Sequence, residues 1–170
     1  IFFINSSPDV IWGDSSAGIW IGPESPVITL FEYCSIRNAT TGICASGTRV
    51  NISNCRVTGC NSNGITFLNA SPVDSMSFKD NSFIKNAGYG ISISAYHLSN
   101  LSGTGSVANN GKGGIYVSGE TIWQSGTWKK HDAPYVVDGI LDISGFKGVE
   151  INIHPGTEFH FLPGAYIEVG

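Results

Sequence analysis

The stretch "AGIWIG" at residues 17–22 contains a Gly-Ile pair that returns four more times at similar intervals up to residue 115. The later copies read "GICAS", "GITFL", "GISIS" and "GIYVS". Their glycines, with the first, stand at positions 18, 42, 64, 90 and 114, so the intervals are 24, 22, 26 and 24 residues. Self-similarity at such a period is typical of repeat proteins, in which each unit stacks on its neighbours.

Alignment of the five copies on this pair gives columns of like residues. The residue after each glycine is isoleucine and the position two further on is apolar, whereas the residue between them is mixed. This alternation predicts one short strand with a single buried face in every repeat. The isoleucine column is Ile19, Ile43, Ile65, Ile91 and Ile115, and the mixed, outward column is Trp20, Cys44, Thr66, Ser92 and Tyr116.

Short strands at this period, with no helical pattern, predict an all-β parallel β-helix (a β-solenoid) with coils of about 22–26 residues. Each coil would lie about 4.8 Å above the last, so that equivalent residues stack on themselves. A flat antiparallel sandwich would also give short alternating strands, but it would not repeat one column five times. We therefore expect the five isoleucines to form one aliphatic ladder.

Two more columns precede the glycine of each repeat. One is apolar and the other is rich in asparagine, which tolerates the left-handed turn conformation and can hydrogen-bond between coils. We expect Asn38, Asn86 and Asn110 to form such a ladder, and we expect the repeated glycines to have positive φ. The apolar column is Ile11, Ile36, Val57, Phe83 and Val107, and the second column is Asp14, Asn38, Cys60, Asn86 and Asn110.

The four cysteines do not match any familiar zinc spacing, so we expect no metal ion and no cofactor. Cys34 and Cys55 share a column, and stacking would bring their Cα atoms within disulfide range. A disulfide and a pair of buried free thiols are both consistent with this position. Neither Cys44 nor Cys60 has an evident catalytic neighbour.

Composition excludes several classes of function. Of 170 residues, 41% are hydrophobic and 13% are charged, with a net charge of −4, which excludes a disordered chain. The largest basic cluster is "KKH" at Lys129–His131, too small for a nucleic-acid surface. No apolar run approaches the roughly 18 residues of a membrane span, so we expect no membrane insertion.

The repeat pattern stops after Ser118, which suggests three segments. Residues 1–118 would form the β-helix coils, residues 119–134 an irregular loop, and residues 135–170 a further short-strand segment. In this last segment, alternation directs Val149, Ile151 and Ile153 inward in one strand, and Phe159 and Phe161 inward in the next.

The stretch "GTWKKHDAPYVVDGILDISGFKGVEINIHPGTEFHF" resembles the opening of a module found in secreted and cell-surface bacterial right-handed parallel β-helix proteins. The first half, including "LFEYCSIRNATTGI" and "ISNCRVTGCNSNGI", resembles the later part of such modules. The resemblance implies the right-handed sense, a secreted or surface location, and a window that spans parts of two tandem modules. It rests on Trp128, Pro134, Tyr135, Val136, Ile153, Pro155, Gly156, Thr157 and Phe161.

The sequence predicts no catalytic residues. Hydrolysis of a glycosidic bond needs two carboxyl groups in proximity, but the outward Asp74 and Asp80 are isolated. A lyase needs a base beside a cation, and Lys79, Lys85 and His97 stand without the clustered aspartates that would hold calcium. A polysaccharide-degrading enzyme whose active site is lost, or is supplied by flanking sequence, remains the alternative.

Exposed aromatic rings that could stack on sugars are the candidate ligand-binding groups. They are Trp20 and Tyr116 in the outward column and Trp123 and Trp128 in the loop, although the loop tryptophans could instead cover the core. The sequence therefore favours a non-catalytic structural, adhesive or glycan-binding module. Its expected partners are a polysaccharide or neighbouring β-helix modules.

Overall fold

A computed structural model of the chain describes residues 2–4, 18–23, 29–144 and 148–170. Two column members, Ile11 and Asp14, lie outside the described residues. A 3₁₀ helix covers Ala95–Asn100. The strands are β1 (Phe2–Ile4), β2 (Ile19–Ile21), β3 (Thr29–Glu32), β4 (Ser35–Arg37), β5 (Ile43–Ser46), β6 (Arg49–Ser53), β7 (Arg56–Thr58), β8 (Ile65–Leu68), β9 (Ser71–Pro72), β10 (Asn81–Ile84), β11 (Ile91–Ser94), β12 (Gly105–Ser106), β13 (Ile115–Thr121), β14 (Gly126–Trp128), β15 (Tyr135–Asp142), β16 (Ile151–Ile153), β17 (Phe159–Phe161) and β18 (Tyr166–Glu168).

The strands form parallel sheets in which each strand pairs with its equivalent in the next coil. The longest sheet has the order β2-β5-β8-β11-β13-β15-β17, and β18 also pairs with β15. A second sheet has the order β1-β4-β7-β10-β12. A third face carries β3-β6-β9, then the 3₁₀ helix, which contacts both β9 and β14, and then the pair β14-β16. The chain is therefore a β-solenoid whose core lies between these faces.

The predicted isoleucine ladder is confirmed. Ile19, Ile43, Ile65, Ile91 and Ile115 pair in register along the longest sheet. The last four are at most 1% exposed, and burial of such a side chain contributes about 1.5–3 kcal/mol. The same column continues to Tyr135 and Phe159 in the following coils, where no Gly-Ile pair stands at this position.

The prediction of positive φ at the repeated glycines is wrong. Positive φ occurs at other glycines, such as Gly47 and Gly59, whereas the glycines before the isoleucines are required because backbone and side chains approach them closely. A Cβ at Gly42 would lie 2.1 Å from Val57 Cγ1 and 2.5 Å from the carbonyl oxygen of Gly64. Each of these glycines therefore leaves room for the coil stacked on it.

The asparagine ladder is present, but Asn38 does not belong to it. The side-chain oxygen of Asn110 accepts a hydrogen bond from the Asn86 N–H at 2.9 Å, and that of Asn86 accepts one from the Cys60 N–H at 3.1 Å. Because Arg37 pairs with Thr58, Asn38 lies opposite Gly59, and the ladder continues to Ala39. Asn38 instead has a φ of 57°. The left-handed turn and the hydrogen bonds between coils were both expected of one column, but two adjacent columns provide them.

The column of Cys34 and Cys55 is a second polar ladder, and it continues to Asn81. The Asn81 side chain accepts a hydrogen bond from the Cys55 N–H at 3.0 Å, and Cys55 Sγ accepts one from the Cys34 N–H at 3.4 Å. All four cysteines are free and buried. Burial raises the pKa of both Cys55 and Cys60 to about 11, which keeps these thiols protonated and structural.

The segment 119–134 is not wholly irregular. Strand β13 extends to Thr121, and β14 covers Gly126–Trp128 and pairs with β16. Strand β15 then pairs with β13, so the longest sheet runs without interruption from the first segment into residues 135–170. The strands of this segment are short, and the charged Lys129, Lys130 and Asp132 follow β14 in the connection to β15.

The last coil leaves its inward positions partly exposed. Val137 is 0% exposed, but Phe161, which pairs with it one coil later, is 45% exposed. Likewise Trp128 is 1% exposed and its partner Ile153 is 46% exposed. The predicted inward direction matches this register, and the exposure arises because these residues contact a neighbouring coil on one side alone.

Candidate ligand-binding groove

The structure does not bring the four predicted aromatic platforms together. Trp20 is 54% exposed and Trp123 is 53% exposed, whereas Trp128 is 1% exposed and packs against Phe159 with ring centroids 5.8 Å apart. Trp128 therefore cannot stack on a ligand; it covers the core, as the alternative interpretation of the loop tryptophans predicted. Trp20 and Tyr116 share one column, but three coils separate them.

Tyr116 is held by its neighbours. Its hydroxyl donates a hydrogen bond to Asp138 Oδ2 at 2.8 Å, and its ring centroid lies 5.2 Å from that of Tyr89. The hydrogen bond to Asp138, with burial, raises the pKa of Tyr116 to about 12. This ring therefore cross-links two coils as part of the outer surface.

A groove of about 390 Å³ lies along the corner where successive coils leave the longest sheet. Four consecutive coils contribute to it, after β5, β8, β11 and β13, which corresponds to a length of roughly 14 Å over three coil spacings. Its lining is polar with one tyrosine: Gly47, Thr48, Arg49, Asn69, Ala70, Ser71, Tyr96, His97, Asn100 and Gln124. We refer to these residues as the corner groove.

Turn geometry positions the first half of the corner groove. Gly47 has a φ of 60° and Asn69 a φ of 47°, so the chain reverses sharply after both β5 and β8. Arg49 then opens β6, pairs with Ser71 of the next coil, and donates a hydrogen bond to the Val73 carbonyl. The guanidinium is therefore oriented along the stack at an exposed site.

The 3₁₀ helix supplies the second half of the corner groove. The rings of Tyr96 and His97 meet edge to face, with centroids 5.0 Å apart. Asn100 Nδ2 donates to the Pro72 carbonyl at 3.0 Å, which fixes the helix to the coil before it. Burial lowers the pKa of His97, and the charge of Arg49 adds to this effect, while Glu120 opposes it.

In the sequence His97 stands as an isolated base, and no motif marks Arg49, Tyr96, Asn100 or Gln124. A signal was present, since Arg49, Ser71 and His97 each stand seven residues after the glycine of their repeat. The column has no common residue type, because a ligand-facing corner is not constrained by packing as the isoleucine column is. Trp123, one of the predicted platforms, is adjacent to Gln124.

A second surface groove is acidic. It has a volume of about 540 Å³, and its carboxylates are Glu120, Asp138, Asp142 and Glu168. Three of them accept hydrogen bonds from neighbouring hydroxyls: Glu120 from Ser94, Asp138 from Tyr116 and Asp142 from Thr121. Within the described part of the chain, no three His, Cys, Asp or Glu residues converge in a way that could hold a metal ion.

Comparison with protein families identifies the fold class. The family model for right-handed β-helix regions matches residues 5–127, and the chain belongs to this family. The structure is accordingly a right-handed β-solenoid of about six turns. No curated protein and no solved structure gives a match. No helix of the described residues is long and apolar enough to cross a membrane.

Proposed function

We propose that the chain is a glycan-binding module that holds an acidic polysaccharide in the corner groove. The observation that carries this proposal is that four consecutive coils line one continuous polar groove with a cation and an aromatic ring. A linear polymer suits a groove that repeats along the solenoid axis, because each coil can contact a successive part of the polymer.

The side chains of the corner groove fit a sugar acid. Arg49 can bind a carboxylate or sulfate with two parallel hydrogen bonds. Tyr96 can pack against the apolar face of a sugar ring, and Asn100 and Gln124 can bond its hydroxyls. Sulfate and carboxylate share this chemistry, so the charge of the ligand is the feature that the groove would select.

We propose a secreted or cell-surface location for this activity. The proposed ligand is a polysaccharide outside the cell, and the resemblance to tandem modules supports a rigid, adhesive role beside other β-helix segments. The parallel stack supplies the stiffness for that role, because every coil is hydrogen-bonded to the next along several faces.

Affinity electrophoresis of the purified chain in gels with pectin, alginate or a neutral glucan tests the proposal. We expect retardation by an acidic polysaccharide and a loss of about ten-fold or more in affinity for Arg49→Ala, the effect of removing a hydrogen bond to a charged group. Arg56→Ala, at an exposed arginine of β7 outside the groove, is the matched control. Tyr96→Ala should also weaken binding, and Tyr33→Ala, at an exposed tyrosine outside the groove, is its control.

Absence of retardation by every polysaccharide would contradict the proposal, as would equal losses for Arg49→Ala and Arg56→Ala. Trp123→Ala and Trp20→Ala extend the test to the two exposed tryptophans. We expect the change at Trp123 to weaken binding more, because this residue is adjacent to the groove-lining Gln124.

One observation favours an enzyme as the second candidate. Arg49 and His97 line the same groove, so that a charge-neutralising group and a proton acceptor are both available to a bound uronate. A β-eliminating lyase would release unsaturated sugars, which absorb ultraviolet light. If these products form during incubation with pectin or alginate, and do not form with His97→Gln, the chain is an enzyme rather than a binding module.

A further inference from the structure

His97 occupies a central position in the corner groove. It belongs to the third of the four contributing coils, between Ser71 of the coil before and Gln124 of the coil after. Its ring meets Tyr96, the residue that would pack against a sugar. A change in the charge of His97 would therefore occur beside the ligand.

Two charged groups of opposite sign act on His97. Arg49 and Glu120 both act on it electrostatically, with opposite signs, and the Ser94 hydroxyl holds Glu120 in place. Asp74 lies further out, where it interacts with Arg49. The strands packed against the 3₁₀ helix, β9, β11, β13 and β14, carry no other charged residue than Glu120.

We propose that His97 is a pH-gated second cation of the corner groove, so that affinity for an anionic glycan rises as the pH falls below neutrality. This inference rests on the proposed function. Protonation of His97 adds a second positive charge to the groove lining beside that of Arg49, while Glu120 lies outside the lining. The carboxylates of an acidic glycan stay ionised over the range concerned, because such groups have pKa values near about 4.

The direction of the effect follows from linkage. Burial lowers the pKa of His97, so the free groove is uncharged at this position at neutral pH. A bound anion favours the protonated ring, and binding therefore takes up a proton when the pH lies between the free and bound pKa values. Affinity must then increase with acidity through that interval.

The test measures affinity for the acidic polysaccharide retained in the gel experiment, pectin or alginate, between about pH 7.5 and about pH 5. We expect a rise of about five-fold for the unmodified chain, the size of a single ion pair at a partly exposed site. His97→Gln should show no rise between these pH values, whatever its affinity at the upper pH. His154→Gln, at an exposed histidine outside the groove, should keep the rise.

A second variant keeps the proposal falsifiable if His97→Gln does not fold. Glu120→Gln removes the opposing charge, so its affinity at the upper pH should already exceed that of the unmodified chain. Constant affinity across the range, or an undiminished rise in a folded His97→Gln protein, would overturn the pH gate and leave the proposed function intact. Absence of binding at every pH would overturn the proposed function and this inference with it.

Discussion

The side-chain oxygen of Asn86 accepts a hydrogen bond from the backbone N–H of Cys60 in the preceding coil, at 3.1 Å. Asn86 is 2% exposed, and its amide nitrogen donates to Asn110 Oδ1 at 3.1 Å and to the Val57 carbonyl at 3.4 Å. One buried side chain thus satisfies polar groups of the coils on both sides.

Replacement of Asn86 should destabilise the fold. Asn86→Leu would leave buried polar groups of both neighbouring coils without partners, at a cost of about 1–3 kcal/mol for each group. We expect a lower midpoint in urea unfolding followed by circular dichroism. Asn61→Leu, at an exposed asparagine of the adjacent coil, is the control and should change the midpoint little. Equal midpoints for Asn86→Leu and the unmodified chain would contradict a supporting role for the ladder.

The ladder can also be extended. Cys60 occupies an asparagine position between Ala39 and Asn86, and an amide there could accept from the Ala39 N–H as Asn86 accepts from Cys60. The Cys60 thiol is already a weak partner of this N–H, and an amide oxygen is a stronger acceptor. Cys60→Asn should therefore raise the free energy of unfolding by up to about 1 kcal/mol, the net value of a buried hydrogen bond. Cys60→Ser, which cannot reach as far, is the comparison. A folded but less stable Cys60→Asn protein would show that space, rather than hydrogen bonding, determines this position.

The repeated glycines should not tolerate any side chain. A Cβ at Gly42 would meet Val57 and the Gly64 carbonyl at distances no real Cβ adopts, so Gly42→Ala should cost about 3 kcal/mol. Gly42→Asn should be at least as harmful, whereas asparagine would be tolerated if positive φ were the reason for glycine. At Gly22 a Cβ would meet the Trp20 side chain alone, at 3.3 Å, so Gly22→Ala is a mild control. Thermal unfolding separates these outcomes.

Acid should destabilise the protein through His131. Burial lowers the pKa of this histidine to about 4, and its Nε2 is buried without a hydrogen-bond partner. In the unfolded chain the pKa is about 6.5, so between these values the unfolded state binds a proton that the folded state does not. Stability is therefore complete above the unfolded pKa, falls as the pH decreases through this window, and loses up to about 3 kcal/mol.

His131→Phe keeps the edge-to-face contact with Tyr135 and removes the titration. Urea unfolding across the window should show a flatter pH dependence for this variant, with a residual slope of the same sign from His97. His154→Phe, at an exposed site, should retain the steep slope. An unchanged slope in His131→Phe would mean that other groups cause the acid sensitivity.

The sequence predicted the part of the fold in which packing repeats. Ile43, Ile65 and Ile91 lie in one column because each coil applies the same local alternation to the same stacking contact. Asn38 was misplaced because Ala39 precedes its Gly42 by three residues, whereas Cys60 and Asn86 precede their glycines by four. Because of this difference of one residue, Asn38 lies at the turn position with positive φ. Alignment of the repeats on their glycines does not show this shift.

The corner groove was the harder part to predict. Its residues are brought together by turns of different lengths, and Tyr96 lies on a 3₁₀ helix where the preceding coils have strands. The sequence does show which strand each turn follows, but it does not show that the helix brings Tyr96 and His97 to the corner occupied by Arg49. Trp128 shows the same limit, because the sequence allowed it to be either a ligand platform or a cover for the core, and the fold packs its ring on Phe159.

Each coil contributes one part of the corner groove, so the spacing of the coils determines the spacing of its contacts with a polymer. Successive coils contribute their lining residues at the rise of the solenoid, about 4.8 Å, which the backbone hydrogen bonds of the sheets determine. A polymer whose charges or rings repeat at a commensurate distance can engage successive coils, whereas one with a different repeat drifts out of phase after a few units. Selection among polysaccharides would then depend on pitch as much as on chemical identity.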